Sequence, residues 1–407
     1  MARIFFVGDS PTVSTGFGVV SLNLLDGLHK LGHEIHVLGI NWFGDPYDRE
    51  KIPYEIWPCD KGPIEVLYGY AKMWHIADRI KPDIIFFLND PWVIEKYLEY
   101  RPENFNDTYI KYLAYYPIDS GPLKPHWAKM LSERFDAQVC YSHFAESVIT
   151  EANEGEIPEN LHQIYHGVDT KTFFPINQQL ARKTLGLPLD SFIVGMVARN
   201  QYRKRFDILV KSFAEFAKDK PEAKLYLHTA LHDVGFDIME LSRQFDLGDR
   251  LILTEGLDLP EGVPLKALNL IYNTFDINTL ISLGDGFGLP VAESMATGCP
   301  QLVSDHSCLR ELVDGHGGLT IKNSEWLMNV SGISTWGGLS SPEDLTTKLN
   351  LLYKNKDLRL KLAEDAYNFI TQDKFNWTTI ASQFDEIITK VMHLLPVSGE
   401  PIALAHY

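Results

Sequence analysis

The chain is 407 residues long, 45 % hydrophobic and 22 % charged, with a formal net charge of −17 and a pI near 5.2. That much apolar material supports two or three packed domains and excludes a disordered chain, and the acidic balance opposes a broad electrostatic grip on nucleic acid or anionic membrane. Four scattered cysteines (Cys59, Cys140, Cys299, Cys308) form no CxxC pair, and no apolar run reaches the roughly 18 residues of a membrane span, so neither zinc, nor a disulfide framework, nor stable membrane insertion is indicated.

In chain order, short apolar runs alternate with helical spacings. The opening MARIFFVGDS is too short in its apolar stretch for a signal peptide, and a reducing, cytoplasmic compartment is the expectation. RIFFVG (3–8), EIHVLGI (34–40), DIIFFLN (83–89), IKYLAYY (110–116), AQVCYS (137–142) and HQIYHG (162–167) are continuously apolar rather than alternating. That pattern predicts strands buried on both faces of a parallel sheet. Helical spacing occupies 18–31, where Leu22, Leu25, Leu28 and Leu31 recur three apart, and 64–80.

Residues 167–190 predict a connector with one short helix. Alternation then restarts with FIVGMVA (192–198), KLYLHTA (224–230), RLILTEG (250–256), DINTLIS (276–282) and PQLVSD (300–305). The expected class is α/β, with two Rossmann-like doubly wound domains facing across a cleft: 1–170, a hinge over 171–190, and 191–375. Such sheets bind ligands beyond the carboxyl ends of their strands. Residues 320–342, with Trp326 and Trp336, read as an irregular surface excursion, with a structured loop near the cleft as the alternative. Helical pattern returns over 343–370 and 376–395, and 396–407 reads as a loosely ordered tail.

Four stretches could carry chemistry. The turn Gly8-Asp9-Ser10-Pro11-Thr12-Val13-Ser14-Thr15-Gly16-Phe17-Gly18 suits a phosphate-cradling loop, but Ser21 stands where a dinucleotide fingerprint needs its third glycine. Asp119 ends another strand and could contact a sugar hydroxyl or the acceptor, or simply make a turn before Ser120-Gly121. Arg199-Asn-Gln-Tyr-Arg203-Lys204-Arg205 puts four cations in seven residues at a strand's carboxyl end, where Arg199 and Lys204 are the preferred diphosphate ligands. In SLGDGFGLPVAESMATGCPQLVSD (282–305), glycines 284, 286 and 288 let a ligand approach the backbone, and Pro290 suits a helix start. Asp285 before that helix and Glu293 in its first turn can accept bonds from sugar or ribose hydroxyls; a tight turn with a capping acid is the alternative. His126, His143, His166 and His228 are lone histidines without metal-ligand spacing, and no metal site is expected.

Together these segments resemble the retaining glycosyltransferases of family 4 (glycosyl transferases group 1), which have the GT-B fold. The family run E-G-F-G-L-P-x-x-E-A-M-A-x-G-x-P-V-V-x-S-D stands here as Asp285-Gly-Phe-Gly-Leu-Pro-Val-Ala-Glu293-Ser-Met-Ala-Thr-Gly-Cys-Pro-Gln-Leu-Val-Ser304-Asp305. The hinge motif N-G-V-D-x-x-x-F-x-P appears as His166-Gly167-Val168-Asp169-Thr-Lys-Thr-Phe173-Phe174-Pro175, and the R-x4-K pair falls on Arg199 and Lys204. Gly16-Phe17-Gly18 looks like the family's phosphate-side glycine loop. Phe375-Asn-Trp377 looks like its closing aromatic helix, which implies that 376–395 packs back toward the N-terminal domain.

The resemblance implies that Arg199 and Lys204 hold the donor diphosphate and that Glu293 binds ribose. It also implies that Asp285, one methylene shorter than the family's glutamate, contacts the transferred sugar, and that the amides of Gly286, Phe287, Gly288 and Leu289 hold sugar and phosphate. Asp119 stands where the family places a histidine. The implied activity is metal-independent sugar transfer from a nucleotide-sugar, such as a UDP- or GDP-sugar co-substrate, to a hydroxyl acceptor, with no other cofactor. The alternatives are a phage-type enzyme acting on a hydroxymethylated DNA base and a non-catalytic nucleotide-sugar binder.

Overall fold

The computed structural model describes residues 1–254, 262–329 and 333–394. Its first sheet runs β3-β2-β1-β4-β5-β6-β7, from β1 (Arg3–Asp9), β2 (Glu34–Ile40), β3 (Glu55–Pro58), β4 (Ile84–Leu88), β5 (Lys111–Tyr116), β6 (Ala137–Cys140) and β7 (Leu161–Gln163). Its second runs β10-β9-β8-β11-β12-β13, from β8 (Phe192–Val197), β9 (Ala223–His228), β10 (Leu251–Leu253), β11 (Ile277–Leu280), β12 (Gln301–Ser304) and β13 (Gly318–Ile321). Neighbouring strands in both sheets are parallel.

The continuous apolar runs have a direct cause. Alternate residues of one strand leave the sheet on opposite faces. Phe6 and Phe86 enter one core, and their neighbours Phe5 and Phe87 enter the other, all without exposure. A two-sided sheet of this kind needs helices on both faces.

The elements differ from expectation where local chemistry interrupts a period. The helix read over 64–80 is two, Ile64–Leu67 and Tyr70–Ile80, separated at Gly69, whose φ is +66°. The pattern over 343–370 breaks at Asn355, whose side chain accepts from the Leu358 N–H and starts a second helix. The run 162–167 yields only the three-residue β7, and β3 was too short to stand out. Residues 255–261, the end of the run read over 250–256, and the tail 396–407 lie outside the described residues.

The largest correction is at 320–342. This segment is no irregular excursion: β13 ends at Ile321, and β14 (Asn323–Met328) pairs antiparallel with β15 (Trp336–Ser340). Gly337 and Gly338 hide the two-residue alternation in the sequence. Leu339 packs on the core, and a Cβ at Gly337 would come within 2.3 Å of the Leu283 carbonyl oxygen.

The last helix, Trp377–Met392, returns to the first sheet's layer. Phe384 stacks on Phe86 at 5.5 Å and meets Tyr115 edge-on at 4.9 Å. Gly27 on the helix Gly16–Lys30 has no room for a side chain, since its Cβ would lie 2.4 Å from the Ala381 Cβ. At the hinge, Gly167 lies against Trp377, where a Cβ would stand 2.6 Å from the indole ring.

Candidate active site

Each sheet reverses its strand order once, between β1 and β4 and between β8 and β11, and the crevice beyond such a switch point is where α/β sheets take ligands. The two carboxyl edges face each other and touch.

On the second domain's edge, the chain leaves β8 and makes a single tight turn, Tyr202–Lys204. That turn carries Arg203 and Lys204 to Asp285. Lys204 is buried, with Nζ 2.5 Å from Asp285 Oδ1. Arg203 Nη1 donates to the same oxygen at 3.0 Å and to the Gly284 carbonyl at 2.7 Å, and lies 3.7 Å from Asp119 Oδ2. Burial alone would raise the Asp285 pKa, but Lys204 and Arg203 outweigh it and hold the carboxyl at about 2. Burial and the neighbouring Arg203 push Lys204 down to about 8, so it is still a cation at neutral pH. Asp285 Oδ2 is buried with no hydrogen-bond partner. An ionised oxygen without a donor is costly, and it fits a ligand hydroxyl.

The expected cations Arg199 and Lys204 have different carboxylate partners in the structure. Arg199 makes a bidentate contact with Asp233 at 2.8 and 3.0 Å, and its side chain is half exposed. Its charge is still felt across the gap by Asp9.

The glycine-rich turn has a second reason for its composition. Only Gly288, at φ +89°, needs the left-handed region; it starts the helix Leu289–Ala296. Gly284 and Gly286 are glycines because the other domain presses on them. A Cβ at Gly284 would lie 2.1 Å from Ser120 Oγ and 2.3 Å from the Asp119 carbonyl, and one at Gly286 would lie 2.7 Å from Pro117 Cβ. The Phe287 ring points away to the hinge aromatics, 5.1 Å from His166. The Leu289 side chain lies 3.7 Å from where a Gly16 Cβ would stand.

Glu293 stands one turn deeper than expected, in the second turn of its helix. It is buried, accepts from the Tyr272 hydroxyl at 2.7 Å, and is pushed by burial up to about 7. The unfolded value is near 4.5, so this acid's contribution to stability is complete below pH 4.5 and is lost as pH rises through 7. Glu293→Gln should therefore gain stability relative to the parent between pH 5 and pH 8, by on the order of 3 kcal/mol. Melting temperatures taken across that range test this, and a pH-independent difference would refute it.

The first domain's edge is acidic. Asp9 ends β1, Asp90 follows β4 and Asp119 follows β5. The Thr15 hydroxyl and the Asn41 amide (3.0 Å) donate to Asp9, yet burial still raises it to about 6. Burial, then the nearby Asp119, raises Asp90 to about 8, and burial raises Asp119 as well. Gly16, Phe17 and Gly18 form the first turn of the helix Gly16–Lys30. Thr15 Oγ1 takes the Gly18 N–H at 2.9 Å, whereas the Gly16 and Phe17 N–H groups have no acceptor inside the helix.

Besides the Arg203–Asp119 pair, further contacts join the edges. Ser120 Oγ donates to the Leu283 carbonyl at 3.1 Å and lies 3.2 Å from His306 Nε2. Trp336 N–H donates to the Gly121 carbonyl at 2.7 Å. The Glu311 carboxylate accepts from the His143 and Phe144 N–H groups, both at 3.0 Å, at the start of the helix His143–Ala152, and from the Tyr165 hydroxyl. A carboxylate on a helix N-terminus stabilises by about 1 kcal/mol. His166 is buried against Tyr115, 2.6 Å away, and His228 bonds Thr254 at 2.8 Å; burial depresses both, to about 3 and about 4.

Sequence reasoning missed Arg203, Ser120, His306, Glu311 and Asp90. Arg203 was visible within the cation run. Asp90 was masked by Asn-Asp-Pro, which reads as an ordinary helix start. The other three act across more than 140 positions of sequence and carry no local signal.

Two facing doubly wound domains, closed by a returning C-terminal helix, define the GT-B class of fold. The chain matches the family model described as Glycosyl transferases group 1 over residues 177–369 and that described as Glycosyltransferase Family 4 over residues 14–172, and it belongs to this glycosyltransferase family. It is 26 % identical over 237 residues to the D-inositol 3-phosphate glycosyltransferase of Thermobispora bispora, covering 58 % of this chain and 51 % of that protein. The chain thus spans about half the length of that curated relative. Among solved structures, sucrose-phosphate synthase from Thermosynechococcus elongatus superposes with a TM-score of 0.75 at 18 % identity, covering 96 % of this chain and 99 % of the other. Anabaena Alr3699/HepE, solved in complex with UDP-glucose, superposes with a TM-score of 0.70 at 16 % identity, covering 96 % and 100 %. Among the described residues, no helix is long and apolar enough to cross a membrane.

Proposed function

We propose that the protein transfers a sugar from a nucleoside-diphosphate sugar to a hydroxyl acceptor, with retention of anomeric configuration and without a metal ion. The observation that carries this reading is the Lys204–Asp285–Arg203 cluster at the mouth of the helix Leu289–Ala296, directly opposite Asp119.

In this reading Lys204 and the free end of the Arg199 fork meet the diphosphate, and the helix N-terminus adds N–H groups and its dipole. Glu293 accepts from the ribose hydroxyls. Asp285 Oδ2 accepts from a hydroxyl of the transferred sugar while Oδ1 stays locked to the two cations. The bond from the sugar's anomeric carbon to the β-phosphate oxygen breaks, and its electron pair leaves with the nucleoside diphosphate. The cations stabilise the charge that develops there. The acceptor hydroxyl attacks the anomeric carbon from the same face, and its proton passes to a phosphate oxygen. Contact of the domains at Gly284 and Ser120 excludes water from this step.

Thermal shift with UDP, GDP, ADP and their sugars tests the reading. A nucleotide at about a hundred times its dissociation constant should stabilise the fold by roughly 2.7 kcal/mol. Absence of a shift with every member of the panel would remove the proposal.

A further inference from the structure

The hairpin β14–β15 presents an exposed apolar surface outside the residues assigned to the donor. Pairing sets Met328 opposite Trp336 and Trp326 opposite Gly338, so Trp326, Met328 and Trp336 share one face. They are 53 %, 49 % and 46 % exposed. The other face is taken: Leu339 sits on the core and Gly337 on Leu283. The ribbon therefore turns its large apolar side chains outward, the reverse of the usual arrangement, and contiguous exposed apolar groups mark binding surfaces.

The patch is continuous with the contact between the domains. Trp336 N–H is bonded to Gly121, two residues beyond Asp119. The Trp326 ring stands edge-on to His306 at 5.0 Å, and His306 in turn touches Ser120. Burial raises the Asp90 pKa, and Asp119, next to Ser120, is close enough to raise it further, as is Asp9.

We propose that the Trp326–Met328–Trp336 face is the acceptor platform, and that the acceptor is a neutral or amino-substituted oligosaccharide. This rests on the glycosyl-transfer reading above. Indole faces pack against the C–H-rich face of a pyranose ring, and carboxylates accept bonds from its hydroxyls or pair with an amino group. A phosphodiester chain would bring its charges to the Asp119 end of this face on a protein of net charge −17. The charge pattern thus selects a glycan over DNA.

The test uses the full chain saturated with the nucleotide that stabilises it, applied to a printed array of neutral and amino oligosaccharides and to a short DNA duplex. Capture of at least one glycan is expected. Trp326→Ala and Trp336→Ala should each weaken it about tenfold, while Trp326→Tyr, which keeps an aromatic face, retains it. Melting temperature and nucleotide affinity should not change. Three results would overturn the platform: no glycan captured although nucleotide binds, glycan binding indifferent to both alanine variants, or tryptophan-dependent capture of the duplex instead. Glycan capture by a protein that binds no nucleotide would keep the platform and sink the transfer reading.

Discussion

Lys204→Ala is expected to lower kcat/KM by about a hundred- to a thousandfold, the usual effect of removing one preorganised group that meets developing charge. It should also destabilise the fold. Lys204 and Asp285 are both buried and 2.5 Å apart, and removing one member of a buried pair leaves the other charge uncompensated. Arg203 remains beside Asp285 and shares its charge, so a loss of about 2–4 kcal/mol is expected rather than the full 3–5 kcal/mol seen for isolated pairs. The double variant Lys204→Ala/Asp285→Asn isolates the stability effect, since loss of Asp285 from the sugar lowers turnover by itself. With both charges gone, chemical denaturation should return most of the lost stability, while turnover stays low. If turnover returned along with stability, Lys204 would be a structural cation only.

Gly284→Ala is expected to act through domain contact. The new methyl would lie 2.1 Å from Ser120 Oγ and 2.3 Å from the Asp119 carbonyl oxygen. A serine side chain can rotate away; the Asp119 backbone oxygen cannot. The domains must therefore separate at this point, and displacement of about 1 Å at a reacting centre costs roughly a hundredfold in rate. Position 284 lies in neither sheet, so the melting temperature should change little. Nucleotide affinity should also hold, since Lys204 and Glu293 stand on one domain. Kinetics, calorimetry and small-angle scattering on the same preparation check this, with a larger radius of gyration as the structural readout. Unchanged turnover would show that the closed contact is dispensable.

How much was legible in advance divides by range. The apolar strands of both sheets could be read because a helix-covered parallel strand must be apolar on both faces, a demand met within a few consecutive residues such as IFFVG and IIFFL. The strand-end positions of Lys204, Asp285 and Asp119 followed from the same pattern, because switch-point crevices lie beyond carboxyl ends. The hairpin at 323–340 was missed because two glycines erase its alternation, and because its inner face is defined by Leu283, far from it in sequence.

By itself, then, the sequence determined the α/β class, the two doubly wound domains and the strand ends at which the candidate site lies, since each depends on short-range periodicity. Only the tertiary structure decided which cation meets which carboxylate: Arg199 with Asp233, and Arg203 with Lys204 on Asp285. It also decided that Gly284 must be small for the sake of Ser120, and that Glu311 caps a helix of the other domain. Those pairings are set by how separately formed elements dock, and partners 34 to 168 residues apart leave no periodic trace in either segment.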